Sequence, residues 1–225
     1  MSEQSDMEDL RLRFTKTGRA VYISHLDLMR TMQRSFLRAG FRLKYSEGFN
    51  PHPQLVFALP LSVGMASECE LLDFKLDEFA CVSEIPYLLN RALPQGIRVE
   101  EVYHKERKFK EIKWLDVDGT FCYDGQEASE KLAPLMDFFS RDSLVIQKKN
   151  KSGISDFDIS SAIRSVSFDS EGDKVFLKAV VSAQEPTMNP ELLPSALTQL
   201  APELAPDFAS FTRRQVYDAD MRVFR

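Results

Sequence analysis

Two of the chain's three histidines lie inside short, dense motifs. The first reads Tyr22-Ile23-Ser24-His25-Leu26-Asp27, the second Tyr45-Ser46-Glu47-Gly48-Phe49-Asn50-Pro51-His52-Pro53. Ser24 suits a helix N-cap, and Asp27 three residues on completes a pair resembling a capping box. His25 then falls at the first helical position, where free N–H groups and the helix dipole attract anions. There it could bind phosphate or transfer a proton, or simply pack over the first turn while Ser24 and Asp27 cap the helix. In the second motif each proline fixes its own φ and holds the residue before it extended. His52 is thereby presented at low entropic cost, as a ligand or catalytic side chain should be. A rigid surface loop leading into a strand would carry the same residues.

A joint metal site is poorly served by this spacing. Residues two apart on a helix point about 200° away from each other, so His25 and Asp27 chelate badly together. Only one histidine from each motif plus a distant carboxylate could form a two-His, one-carboxylate site. His25 and His52 are thus the candidates for metal binding and for catalysis, and neither role is assigned.

The formal net charge of −5 is unevenly distributed. Residues 10–54 carry Arg11, Arg13, Lys16, Arg19, Arg30, Arg34, Arg38, Arg42 and Lys44 against Asp27 and Glu47, a net +7. Residues 1–9 carry −4 and the remainder −8. Segregation of this kind marks an anionic partner, although it also neutralises the acidic remainder of the same protein. Arg30, Arg34 and Arg38, four apart, line one side of the first helix and could track a phosphate backbone; a solvated helix face has the same pattern. The candidate anion- or RNA-binding set is Ser24, His25, Arg30, Arg34, Arg38, Lys44, Asn50 and His52.

These residues need a scaffold, and the periodicity describes one. Residues 10–16 alternate apolar and polar, as a half-buried strand does. A helix follows from Ser24 to Gly40, the expected C′ glycine, with Leu28, Met29, Met32, Phe36, Leu37 and Ala39 inward. Strands over 55–59 and 70–76, a helix over 83–93 and a strand over 97–103 complete a β-α-β-β-α-β order. The second half reads as strand 113–123, helix 127–139, strand 143–148, a strand pair 162–168 and 175–182, helix 190–200 and strand 211–217. The expectation is an α+β protein of two tandem ferredoxin-like (βαββαβ) sandwiches. A disordered tail (1–9), an N-terminal domain (10–104), a charged connector (105–113) and a C-terminal domain (114–225) divide it.

Several classes are excluded or disfavoured. The apolar run 55–66 is broken by Pro60, Ser62 and Gly64 and falls short of the ~18–20 residues of a membrane span. The polar, acidic start lacks the features of a signal peptide. Cys69, Cys81 and Cys122 are widely spaced and form no C-x-x-C, which argues against a disulfide framework and for a cytoplasmic protein. There is no Walker A loop, G-x-G-x-x-G, G-x-S-x-G or H-E-x-x-H.

At the two motifs the chain resembles the radical-SAM-associated (radical-SAM-linked) proteins, a bacterial family of unknown function. Its members occur fused to, or encoded beside, a cobalamin-binding-type radical SAM protein. The residues that carry the resemblance are Phe14, Lys16, Gly18, Ile23 through Leu28 with Arg30, then Tyr45-Ser46, Gly48 through Pro53, Leu59-Pro60 and Gly64. Looser matches lie at Asp158-Ile159, at Asn189 through Leu193 and at Arg213 through Tyr217. Where that family often has a basic residue after Pro-His-Pro, this chain has Gln54. The resemblance implies a partnership with a radical SAM enzyme. The chain lacks the C-x-x-x-C-x-x-C cluster ligation itself, so S-adenosylmethionine, the iron–sulfur cluster and cobalamin would belong to the partner.

The expected role is therefore a non-catalytic accessory protein, one that could present an RNA substrate to the enzyme. Two alternatives stand beside it. One is a metal-independent endoribonuclease with His25 or His52 as general base, similar in plan to the CRISPR repeat-processing endoribonucleases. The other is a pure protein-interaction module.

Overall fold

The computed structural model describes residues 9–150 and 153–225. The acidic residues of the tail up to Glu8, and Lys151 with Ser152, lie outside the described residues. The chain is a mixed α+β protein of two compact units, one ending at Phe109 and including Arg225, the other Lys110–Phe224.

In the first unit the elements run β1 (Leu10–Lys16), α1 (His25–Arg38), β2 (Leu55–Phe57), β3 (Ala66–Phe74), α2 (Ile85–Ala92) and β4 (Ile97–His104). β1 lies between β4 and β3, β2 pairs with β3, and all three pairings are antiparallel. Alternation along β1 sends Leu10, Leu12 and Phe14 into the apolar core that α1 and α2 cover. α1 contributes Leu28, Met32 and Phe36 to that core, with Phe36 against Phe74 at 4.8 Å between ring centroids. Leu37, expected inward, is 72 % exposed, because it lies about 140° round the helix from Met32. Gly40 ends the helix at φ +87°, and Phe41 N–H donates to the Phe36 carbonyl (2.9 Å), a glycine-based C-cap. A second glycine is required by contact. A Cβ on Gly96 would stand 2.4 Å from the Thr17 carbonyl oxygen, so the turn before β4 can lie against the turn after β1.

The second unit repeats this succession with an insertion. β5 (Trp114–Cys122) and α3 (Leu132–Phe139) precede a separate hairpin of β6 (Val145–Asn150) and β7 (Gly153–Asp158). β8 (Ile163–Glu171), β9 (Lys174–Ser182), α4 (Leu192–Leu200) and β10 (Phe208–Tyr217) follow. β5 lies between β10 and β9, and β8 pairs with β9, again all antiparallel. The strand expected over 143–148 thus belongs to the hairpin, and its mate β7 carries the weak pattern Gly-Ile-Ser-Asp-Phe-Asp. Gly119 in β5 allows Leu177 and Phe211 to close over the strand, since a Cβ there would meet each within 2.8 Å.

Asp158 holds the base of the hairpin. Its Oδ1 accepts from Leu144 N–H (2.9 Å), Ser160 N–H (3.0 Å) and Ser160 Oγ (2.7 Å), and its Oδ2 from Ser143 Oγ (2.8 Å). The bond from the Leu144 backbone, then those from Ser160 and Ser143, hold its carboxyl down at about 2. A depressed carboxylate stabilises the fold above its unfolded value near 3.8 and loses that contribution as pH falls toward about 2. Protection of the Leu144 and Ser160 amides, taken against the intrinsic exchange rate at each pH, should therefore fall between about pH 4 and pH 2, and Asp158→Asn should remove this pH dependence. Protection that is flat through that window in the unaltered protein would contradict the assignment.

Candidate functional site

The first motif is built on a turn locked from beneath. Lys16, at the end of β1, is buried, and its Nζ donates to the Val21 carbonyl (3.1 Å). The same carbonyl accepts from Gly64 N–H (2.9 Å). Burial lowers the Lys16 pKa, and the charge of buried Glu70 opposes that effect. Sequence reading missed this pair, because each residue sits singly within a strand pattern and only the β1–β3 pairing brings them near. The chain then enters α1 through Ser24, whose Oγ accepts from Asp27 N–H (3.2 Å) and donates to Asp27 Oδ2 (2.8 Å). Asp27 Oδ1 also receives Arg30 Nη1 at 3.3 Å. Asp27 is thus a cap and a partner for Arg30. The exposed His25 ring packs edge-on against Phe57 of β2, 5.2 Å between centroids at 73°.

The second motif is a closed loop. Tyr45 bridges Pro53, Lys44 N–H donates to the Lys75 carbonyl (2.9 Å), and Gln54 N–H donates to the Lys44 carbonyl (2.8 Å). At the neck, Ser46 N–H donates to the His52 carbonyl (2.9 Å) and His52 N–H to Ser46 Oγ (3.1 Å). Ser46 Oγ is also hydrogen-bonded to His52 Nδ1 at 2.9 Å. Ser46, quoted in the motif but given no role from sequence, therefore orients the imidazole as much as the prolines do. The exposed Gly48 adopts φ +121°, which L side chains rarely reach, and this lets the loop turn outward with Phe49 fully exposed. Asn50 lies exposed within the loop, its carbonyl 3.4 Å from His52 Nδ1.

The two histidines flank β2: His25 against its last residue, His52 three residues before its first. Their partners differ, and no hydrogen bond or ring contact joins them among the described residues. No cluster of three or more His, Cys, Asp or Glu side chains suited to a metal occurs among the described residues. The arginine row divides into three situations. Arg30 is paired with Asp27, while Arg38 Nη2 donates to the Ala92 carbonyl at the end of α2 (2.9 Å) and to Ser35 Oγ (3.3 Å). Arg34 is exposed and has no carboxylate partner among the described residues; Arg42 is also exposed, and Lys44 half-buried. Exposed apolar side chains gather in and beside both motifs: Tyr22, Leu26, Tyr45, Phe49, Val56 and Val63.

A cavity of about 330 Å³ opens at the start of β2 and the end of β3. Asp9 stands between Lys75 (2.7 Å) and Lys105 (2.8 Å), and Lys108 and Gln54 border the same space. Below lies Arg11, fully buried, held bidentately by Asp73 (2.6 and 3.1 Å), donating to the Arg107 carbonyl (2.8 Å) and stacked on Phe109 (4.1 Å). Partial burial would raise the Asp9 carboxyl, but hydrogen bonds and charge from Lys105 and Lys75 hold it below its usual value.

Fold and site together define a mixed α+β protein carrying exposed, hydrogen-bonded motifs. The chain belongs to the bacterial family described as "uncharacterized protein conserved in bacteria (DUF2344)", whose profile matches residues 9–190. No curated protein matches it. Among solved structures, a chain of a Cbf5-Nop10-Gar1 complex is similar at a TM-score of 0.54 and 9 % identity, over 96 % of this chain and 51 % of that one. This chain therefore spans about half the length of that neighbour, and at such identity the likeness concerns the fold alone. An unknown protein from Galdieria sulphuraria aligns at a TM-score of 0.27 and 7 % identity, over 92 % of this chain and 98 % of that one. No helix among the described residues is long and apolar enough to cross a membrane.

The neck of the second motif can be tested directly. Ser46→Ala removes the acceptor for His52 N–H and the partner of its imidazole, so exchange at the His52 amide should speed at least tenfold, equivalent to about 1.4 kcal/mol. Global stability should change by less than about 1 kcal/mol, because the loop is exposed. An unchanged His52 exchange rate would show that Ser46 does not hold the loop.

Proposed function

We propose that this protein is a non-catalytic accessory to a radical SAM enzyme and that its motif-bearing segment holds single-stranded RNA. The observation that carries the RNA part is the combination, within residues 22–57, of exposed Tyr22, Tyr45 and Phe49 with Arg34 and Arg42. Unpaired bases stack on aromatic side chains, each stack worth about 1–3 kcal/mol, while nearby cations follow the backbone. The enzyme partnership rests on the resemblance of the two motifs to the radical-SAM-linked proteins. We also read both units as ferredoxin-like on their βαββαβ succession and strand order, the second with the β6–β7 hairpin inserted.

Binding accounts for the site better than hydrolysis does. A catalytic imidazole is usually oriented by a third group and set beside a second reacting group, whereas His25 lies on Phe57, His52 is bonded to Ser46 of its own loop, and no hydrogen bond joins either ring to a carboxylate or to the other among the described residues. The exposed apolar groups would also serve a protein interface, and the same experiment separates the two.

Arg34→Glu with Arg42→Glu should weaken binding of a 12-nucleotide single-stranded RNA at least tenfold and reduce the slope of log K against log salt by about 1–2. Retention of the purified radical SAM enzyme by this variant would place the enzyme contact elsewhere on the surface. Failure of the unaltered protein to bind RNA at low salt, with the enzyme still captured, would replace the RNA reading with a protein-interaction module.

A further inference from the structure

A second cavity, of about 410 Å³, opens between the ends of α1 and α2 and is lined by Arg38, Ala39, Leu88, Arg91 and Ala92. Its two guanidinium groups are held in place by neutral partners. Arg38 Nη2 donates to the Ala92 carbonyl (2.9 Å) and to Ser35 Oγ (3.3 Å), which leaves its Nε and Nη1 donors for another acceptor. Arg91 lies over the Tyr87 ring, 5.8 Å from its centroid. Both arginines are exposed, and neither has a carboxylate partner among the described residues. Arg34 stands one turn before Arg38, roughly 6 Å along the axis of α1. Opposing these cations, Glu84 lies at the start of α2, two turns from Arg91 and roughly 10 Å away along the axis. Asp27, at the start of α1, is engaged by Ser24 and Arg30.

We propose that this cavity holds a phosphodiester group of bound RNA between Arg38 and Arg91, so that the strand runs from the aromatic motifs over α1 to the end of α2. The inference rests on the RNA reading and extends it to a site outside both motifs. A guanidinium fork matches two oxygens of one phosphate, and such charge-assisted bonds are stronger than neutral ones. Ordering a mobile arginine opposes binding, but here Ser35, Ala92 and Tyr87 have already oriented both side chains. Helix C-termini carry partial negative charge, which repels an anion. The Ala92 carbonyl is screened from that role, since Arg38 and Ser35 Oγ (3.3 Å) both donate to it. The floor consists of half-buried Ala39, Leu88 and Ala92. One leucine and two alanines offer little to anchor a protein ligand, so the cavity suits a phosphate better than an acidic peptide.

Fluorescence anisotropy of the full chain with single-stranded RNAs of 6 and 12 nucleotides tests the site. The shorter RNA is covered by the motif surface, and the longer one reaches the cavity. Arg91→Ala should weaken binding of the longer RNA at least fivefold and reduce its slope of log K against log salt by about 1. The shorter RNA should change by less than twofold. Arg91→Lys should restore the slope but only part of the affinity, because an ammonium keeps the charge and lacks the fork. Arg91 is exposed and ties no element to another, so an unchanged thermal midpoint should accompany these losses; Arg38 is left in place because it joins the two helices.

Equal losses for the two lengths would make Arg91 part of the general positive field and overturn the site, as would an unchanged affinity for the longer RNA. Loss of radical SAM enzyme capture by Arg91→Ala, with RNA binding intact, would also overturn it and give the cavity to a protein partner. In each of these cases the RNA reading of the motif surface stands, since it depends on Arg34 and Arg42. Failure of the unaltered protein to bind either RNA at low salt removes that reading itself, and this site with it.

Discussion

A guanidinium buried at zero exposure fixes the first unit. Removing such a charge from water costs several kcal/mol unless it is paired and hydrogen-bonded. Arg11 meets that demand through both oxygens of Asp73, the Arg107 carbonyl and the face of Phe109. Arg11 and Asp73 are also direct cross-strand partners of β1 and β3. A one-residue slip would turn Arg11 toward the apolar side and Leu12 away from it. The ion pair thus sets the register, and with it the placement of β2, whose Val56 pairs with Asp73 on the other side. Both histidine motifs and the lysine cavity take their positions from that alignment.

From the register outward, the supports become progressively more local. Lys16 and Gly64 meet on one carbonyl, Val21, at the turn that delivers the chain into α1. Gly96 lets the turn before β4 press against that same segment, with Thr17 N–H donating to its carbonyl (2.8 Å). The motifs themselves depend on short-range bonds, Ser24 with Asp27 and Ser46 with His52. A rigid sheet therefore carries loops whose own stability is small, the usual arrangement when loops perform recognition.

Sequence patterns revealed what repeats at short range. The alternation in β1, the Ser24 cap and the Gly40 stop each rest on a few neighbouring residues, and all three appear in the structure. The order of elements followed from the same signals, whereas the boundaries of β3 moved from 70–76 to Ala66–Phe74 because Ser67, Glu68 and Cys69 do not announce a strand. The β7 strand escaped because its residues have no clear period. Partnerships across 50 residues or more were hidden for a different reason. Arg11 with Asp73, Lys16 with Glu70 and Arg38 with Ala92 are set by the pairing of elements, and an arginine or lysine in a single sequence reads as a surface charge. Of three evenly spaced arginines on α1, one proved to be a tether between helices and one a neighbour of the cap.

The loop that carries His52 has a property that reaches past its present residues. Three hydrogen bonds between Ser46 and His52 close it into a small ring whose neck, not its tip, is attached to the sheet. Residues 47–51 therefore lie outside the load path of the fold. Changes at Glu47, Phe49 or Asn50 alter what the loop presents to solvent without removing a bond to β2 or β3, whereas Gly48 is tied to its positive φ. In engineering terms the loop is an insertion cassette: a peptide of matched length between Ser46 and His52 would inherit a closed, outward-facing geometry already in place.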